Sequence, residues 1–186
     1  MAIAGNHEVM YGGMENFPLF MALPGKEFWY YFIYGNAMFI FLNASSYEKF
    51  VFPEEEKEMF INAIEYAETH DLWKIVCLHI PPIDIFPHSV DENEAKILLP
   101  LFDKYKPDLI LMGHDHAYAR LRKNDTTYII VGSSGGFPHV LLSNIDSVDH
   151  YEFESGYMLL TISSKEIALV YKNINGEILD RFTIHK

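Results

Sequence analysis

Two short apolar runs, Lys74–His79 and Leu109–Met112, each lead into a histidine motif, and Glu92–Tyr105 between them has the spacing of a helix. Apolar runs this short have strand length. Strand, helix, strand in that order predicts parallel strands joined by a crossover helix, a layout in which ligands gather beyond the carboxyl ends of the strands. Both histidine motifs fall at such ends. The fold class expected is therefore α/β.

The flanking sequence extends this pattern. Phe28–Tyr34 and Ala37–Asn43 surround Gly35-Asn36, a pair suited to a tight hairpin turn. Pro53–His70 opens with a proline and three glutamates, favourable at a helix N-terminus, and places Met59, Ile61, Ala63, Ile64 and Ala67 at mostly helical spacing. After Arg120 strands are expected at Tyr128–Val131, Tyr157–Ser163, Ile167–Asn173 and Ile178–Ile184, the last two joined as a hairpin through Asn173-Ile174-Asn175-Gly176. The chain should thus end at a sheet edge. No repeat or linker divides residues 1–186, and 49% hydrophobic with 22% charged residues suits a single domain.

Fourteen Lys and Arg against 26 Asp and Glu leave a net charge of −12, which disfavours a nucleic-acid surface. An anionic substrate would need a local cation, and a divalent metal ion can supply one. No apolar run approaches a membrane span, and MAIAGNHEVM lacks the basic and apolar regions of an export signal, so a soluble chain is expected and no localisation is read. Cys77, the single cysteine, lies in the apolar run KIVCLHI and reads as a buried side chain.

The chemistry is concentrated in three places. Gly113-His114-Asp115-His116 follows an expected strand directly, and two histidines at i and i+2 can present imidazoles to one small volume, with Gly113 giving the backbone room to turn. The bland alternative is a polar loop with solvated imidazoles. His79 ends another expected strand, where a lone histidine is otherwise a satisfied core or loop residue. If the two strands are neighbours, His79 and His114 emerge at the same edge. Gly5-Asn6-His7-Glu8 offers a carbonyl oxygen for a cation and a histidine for proton donation or a phosphate clamp, or else a turn capped by Asn6.

In this order the three motifs resemble those of the calcineurin-like metallophosphoesterases: G-N-H-[DE], a single strand-end histidine, then G-H-x-H. The resemblance covers essentially the whole chain, and Glu8, the run His114–Arg120 and Gly132–Gly136 look most like the purple acid phosphatase branch. It implies an α/β/β/α sandwich, and a metal-dependent phosphomonoesterase or phosphodiesterase acting on a phosphoester through two metal ions (Mn, Fe or Zn). Asn6, His79 and His114 would hold one ion, His116 the other, and His7 would contact substrate and help the leaving group depart. The family's D-x-H and G-D-x-x-[DY] motifs have no counterpart in this sequence. The resemblance therefore implies an N-terminally truncated, partial domain that needs an upstream segment and, alone, binds at most one metal well. The second reading is an inactive remnant serving in binding or assembly, and a sheet edge left bare would favour self-association. A metallo-β-lactamase pattern, H-x-H-x-D-H, is disfavoured because Ala117-Tyr118-Ala119 follows His116.

Other residues carry weaker signals. His88 reads as a loop histidine overhanging the site or merely solvated, and Ser143–Ser155 as a polar surface loop rather than a second metal site. Phe17, Phe20, Phe28, Trp29, Tyr30 and Tyr31 read as core first and as a substrate-facing platform second.

Overall fold

A computed structural model describes residues 1–10, 15–24, 28–43, 52–83, 85–86, 92–139 and 148–186. The expected hairpin forms from β1 (Tyr30–Tyr34) and β2 (Ala37–Phe41), with Gly35 at φ +57° in the turn, a conformation that glycine adopts without steric cost. From β2 the chain enters α3 (Glu54–Thr69), returns in β3 (Trp73–Leu78), crosses through α4 (Glu92–Tyr105) and returns again in β4 (Leu109–Met112). Two short helices, α1 (Asn6–Met10) and α2 (Phe17–Phe20), precede the hairpin. After β4 come β5 (Tyr118–Lys123) and β6 (Thr126–Val131), then β7 (Val148–Glu152), β8 (Gly156–Ile162), β9 (Glu166–Asn173) and β10 (Ile178–His185).

The strands make two sheets. The first runs β1-β2-β3-β4-β6-β5-β7 and the second β10-β9-β8, so the last strand does lie at a sheet edge. Strands β2, β3, β4 and β6 are mutually parallel and central; β1 and β5 run antiparallel to them, and β7, antiparallel to β5, runs in their direction again. Alternation along β3 shows how the layers are glued: Val76 and Leu78 join a core with Phe60 and Ile64 of α3 and Leu98 and Phe102 of α4, while Trp73, Ile75 and Cys77 join a second core with Ile167, Leu169 and Tyr171 of β9. Both faces of a central parallel strand are buried, which is why it reads as an unbroken apolar run. The described layers are helices, sheet and second sheet, and they bear out the α/β sandwich.

Details differ from expectation where packing overrides pattern. The buried face of α3 is Glu56, Phe60, Ala63, Ile64 and Ala67, so Phe60 occupies the centre that Met59 and Ile61 only flank. Strand β5 was not foreseen because Arg120, Arg122 and Lys123 make it look polar, yet Tyr118, Ala119 and Leu121 are buried. Arg120 is satisfied by Asp180 of β10 (Nε to Oδ2, 2.8 Å), which also accepts from the Tyr118 hydroxyl at 2.7 Å. The stretch Ser143–Ser155 is not wholly a loop: β7 pairs antiparallel with β5, and residues 143–147 lie outside the described residues, as does His88. The aromatic concentration divides, with Phe17 and Tyr30 buried and Phe20 and Tyr31 exposed. Cys77 is buried as expected.

Candidate metal centre

The three turns that leave β3, β4 and β6 all emerge at one edge of the parallel sheet, and the start of α1 meets the same edge through Asn6. The register Leu78↔Met112 brings the residues after β3 and β4 side by side, and the Gly113 amide donates to the His79 carbonyl at 3.0 Å. His79 and His114 therefore converge, with ring centroids 5.3 Å apart. Asn6, from the start of α1, reaches both: its Oδ1 lies 2.8 Å from His79 Nε2 and 3.3 Å from His114 Nδ1. All three expected ligands of one ion are thus gathered about a single oxygen.

Glycines permit this closeness. A β-carbon on Gly5 would stand 2.9 Å from His79 Cε1, and one on Gly113 3.2 Å from His79 Nδ1. Gly113 thus gives the turn room against His79, while the positive φ falls on its neighbour: His114 takes φ +65°. A β-carbon in that region costs roughly 1–2 kcal/mol, strain of the kind that surrounding structure must over-determine. The turn is tight on both sides, with Asp115 N donating to Gly113 O at 2.7 Å and Ala117 N to Asp115 O at 2.8 Å. Glu8 completes α1 by accepting from the Gly5 amide at 2.7 Å.

Asn6, His79 and His114 line a cleft of about 400 Å³ together with His7, His116, Ser134 and His139. Burial, reinforced by the neighbouring His114, His7 and His116, pushes His79 down to about 4, so it is a neutral imidazole with a lone pair to give near pH 7. His116 is held by other contacts: its Nδ1 is 2.9 Å from the Phe137 carbonyl, and its ring lies 4.5 Å from that of His139. His139 was missed in the sequence. The only signal was its position a few residues beyond the glycine-rich strand end, which by itself points nowhere.

Among the described residues no three His, Cys, Asp or Glu side chains form a metal-holding group. The set here is of another kind, two imidazoles and an amide oxygen. Ligand atoms bound at roughly 2.0–2.2 Å to one ion stand about 3.0–3.4 Å apart across octahedral or tetrahedral edges. The 2.8 Å and 3.3 Å separations around Asn6 Oδ1 are close to such edges, so the donor set fits a cation of the N/O-accepting class. Imidazole nitrogen and amide oxygen ligate as neutral donors, which leaves the ion's charge for an anion to balance.

Residues 1–118 match the sequence profile of the calcineurin-like phosphoesterases. The chain belongs to that family. Relatives of this calcineurin-like phosphoesterase chain include purple acid phosphatase 7 of Arabidopsis thaliana, 25% identical over 66% of this chain and 38% of the relative. Purple acid phosphatase 1 of Ipomoea batatas is 31% identical over 70% of this chain and 31% of its own length. The chain therefore spans about a third of the length of these relatives. Among solved structures, the purple acid phosphatase PPD1 of yellow lupin superposes with a TM-score of 0.69 at 19% identity, over 89% of this chain and 34% of that one. GAP50, the anchor in the inner membrane complex of Plasmodium, superposes at 0.60 with 18% identity, over 85% and 54%. These two likenesses are of fold.

Proposed function

We propose that the chain contributes one side of a phosphoester-hydrolysing metal centre, with Asn6, His79 and His114 as the ligands of one divalent ion. The observation that supports this most is the approach of one amide oxygen to two imidazole nitrogens at the end of adjacent parallel strands. A metal ion bound there supplies Lewis-acid charge to a phosphoryl group and acidifies water. The protein's own contribution is positional. Burial keeps His79 neutral, the strained His114 turn aims Nδ1 at the same point, and the Gly5 amide held by Glu8 fixes the start of the segment bearing Asn6.

His7 lies exposed on the cleft wall, where it can meet the leaving oxygen of a bound phosphoester and donate a proton to it. His116 is the proposed ligand of a second ion, for which the described part of the cleft supplies no carboxylate lining. A dinuclear centre thus asks for anionic ligands beyond those lining this cleft, and hydrolysis by these residues alone should be slow.

The test is a calorimetric titration of the 186-residue chain with Zn²⁺ and Mn²⁺ beside an aryl-phosphate assay. One equivalent should bind, His114→Ala should abolish that binding with the fold intact, and turnover should be weak. Failure of either metal to bind the unaltered chain would overturn the reading. Binding of one metal with no turnover under any condition would favour the second reading, a binding or assembly role for the same fold.

A further inference from the structure

Residues 132–139 follow β6, pack against the His114–His116 turn and line the cleft through Gly132, Ser134 and His139. Backbone contact is so close that side chains are excluded at two points: a β-carbon on Gly132 would lie 2.0 Å from the Asp115 carbonyl oxygen, and one on Gly136 2.1 Å from His116 Nδ1. The Gly132 amide donates to the Ala117 carbonyl at 3.1 Å, and the His139 amide to the His116 carbonyl at 3.2 Å. The Phe137 carbonyl sits 2.9 Å from His116 Nδ1. His139 is tied to the same turn through its ring: Nδ1 is 3.2 Å from the carboxylate of fully buried Asp115 and 3.3 Å from the His116 amide. A proton on Nδ1 serves the first contact and a lone pair the second, so either tautomer anchors His139 there.

A peptide carbonyl only accepts hydrogen bonds, so the Phe137 contact requires a proton on His116 Nδ1, and in the neutral ring this puts the lone pair on Nε2. Neutral histidine in water prefers the opposite arrangement. We propose that the segment from Gly132 to His139 is a clamp that selects the Nδ1–H tautomer of His116 and holds Nε2 ready as a ligand, with His139 as its positioning residue. The use of Nε2 as a ligand rests on the reading of His116 given above; the choice of tautomer stands on the Phe137 contact. The partner of such a ring nitrogen fixes which nitrogen meets the metal, and its loss typically weakens metal affinity about 10–100-fold. Glycine at 136 admits the carbonyl, and His139 closes the segment against the turn. The Phe137 side chain takes no part, being 92% exposed.

Long-range ¹H–¹⁵N spectra of the imidazoles, recorded on the unaltered chain with chelator at a pH where histidines are neutral, test this directly. His116 should show a protonated Nδ1 and an unprotonated Nε2. Gly136→Ala and His139→Ala should each shift it toward the ordinary Nε2–H form while the backbone amide spectrum stays folded. His139→Asn, whose amide can still donate to Asp115, should restore much of the bias. An Nε2–H His116 in the unaltered chain, or an Nδ1–H signal unmoved by both His139→Ala and Gly136→Ala, overturns the clamp. Should Gly136→Ala fail to fold, the unaltered chain and His139→Ala decide. Zinc titration of the same samples separates the two claims: the expected tautomer with no zinc uptake sinks the metal reading and leaves the clamp standing.

Discussion

Glu56 gives the sharpest energetic prediction. Its side chain is fully buried at the first turn of α3, where Oε1 accepts the Asn43 amide at 2.7 Å and Oε2 has no hydrogen-bond partner among the described residues. Burial pushes its pKa up to about 7, against the lowering effect of the Asn43 hydrogen bond, from an ordinary value of 4.5. The folded state thus holds this proton more tightly than the unfolded chain does. Stability from this group is complete below pH 4.5, declines as pH rises toward 7, and stays lowered above it. A displacement of that size corresponds to roughly 3 kcal/mol. Glu56→Gln keeps the acceptor for Asn43 and removes the charge. Urea unfolding followed by circular dichroism should find Glu56→Gln more stable than wild type by up to about 3 kcal/mol at pH 8, with the gap closing near pH 4.5. A variant no more stable than wild type at pH 8, or a gap that ignores pH, would refute this reasoning.

Three further outcomes follow from contacts described above. Burial raises the Asp180 carboxyl, but the hydrogen bonds from Arg120 and Tyr118 outweigh it and hold the pKa below its ordinary value; Asp180→Asn should cost about 2 kcal/mol at neutral pH and converge with wild type in strong acid, by denaturant titration at both. Cys77 is buried and pushed up to about 12 by that burial, so a thiol reagent at pH 8 should label it only after denaturant unfolds the chain. Gly5→Ala sets a β-carbon against the His79 ring and should weaken zinc binding about tenfold by calorimetry while leaving the melting temperature nearly unchanged.

The central sheet was legible because its strands are buried on both faces and bounded by turns, so Lys74–Leu78 and Leu109–Met112 carry their assignment in composition alone. The convergence of His79 with His114 followed from the parallel order. What was hidden depends on long-range partners. Strand β5 became visible only once Asp180, distant in sequence, neutralised Arg120. Glu56 looked like one of three interchangeable helix-start glutamates, and nothing local says that it alone points inward. His139 carries no motif, and its place in the cleft is decided by how residues 132–139 fold back over Asp115 and His116.

The parallel order also separates two kinds of distance. His79 and His114 are held together by the pairing of β3 with β4 and the hydrogen bond between Gly113 and the His79 carbonyl, whereas the chain that links them runs through α4, on the helical face of the sheet. Insertions where that crossover meets solvent would lengthen the gap between the motifs and leave the imidazoles where they are. A slip of one residue between β3 and β4 would turn every side chain of the slipped strand to the other face and part the imidazoles at once. The cleft tolerates variation in loop length and resists variation in register, so relatives with different spacings between the same motifs can carry the same arrangement.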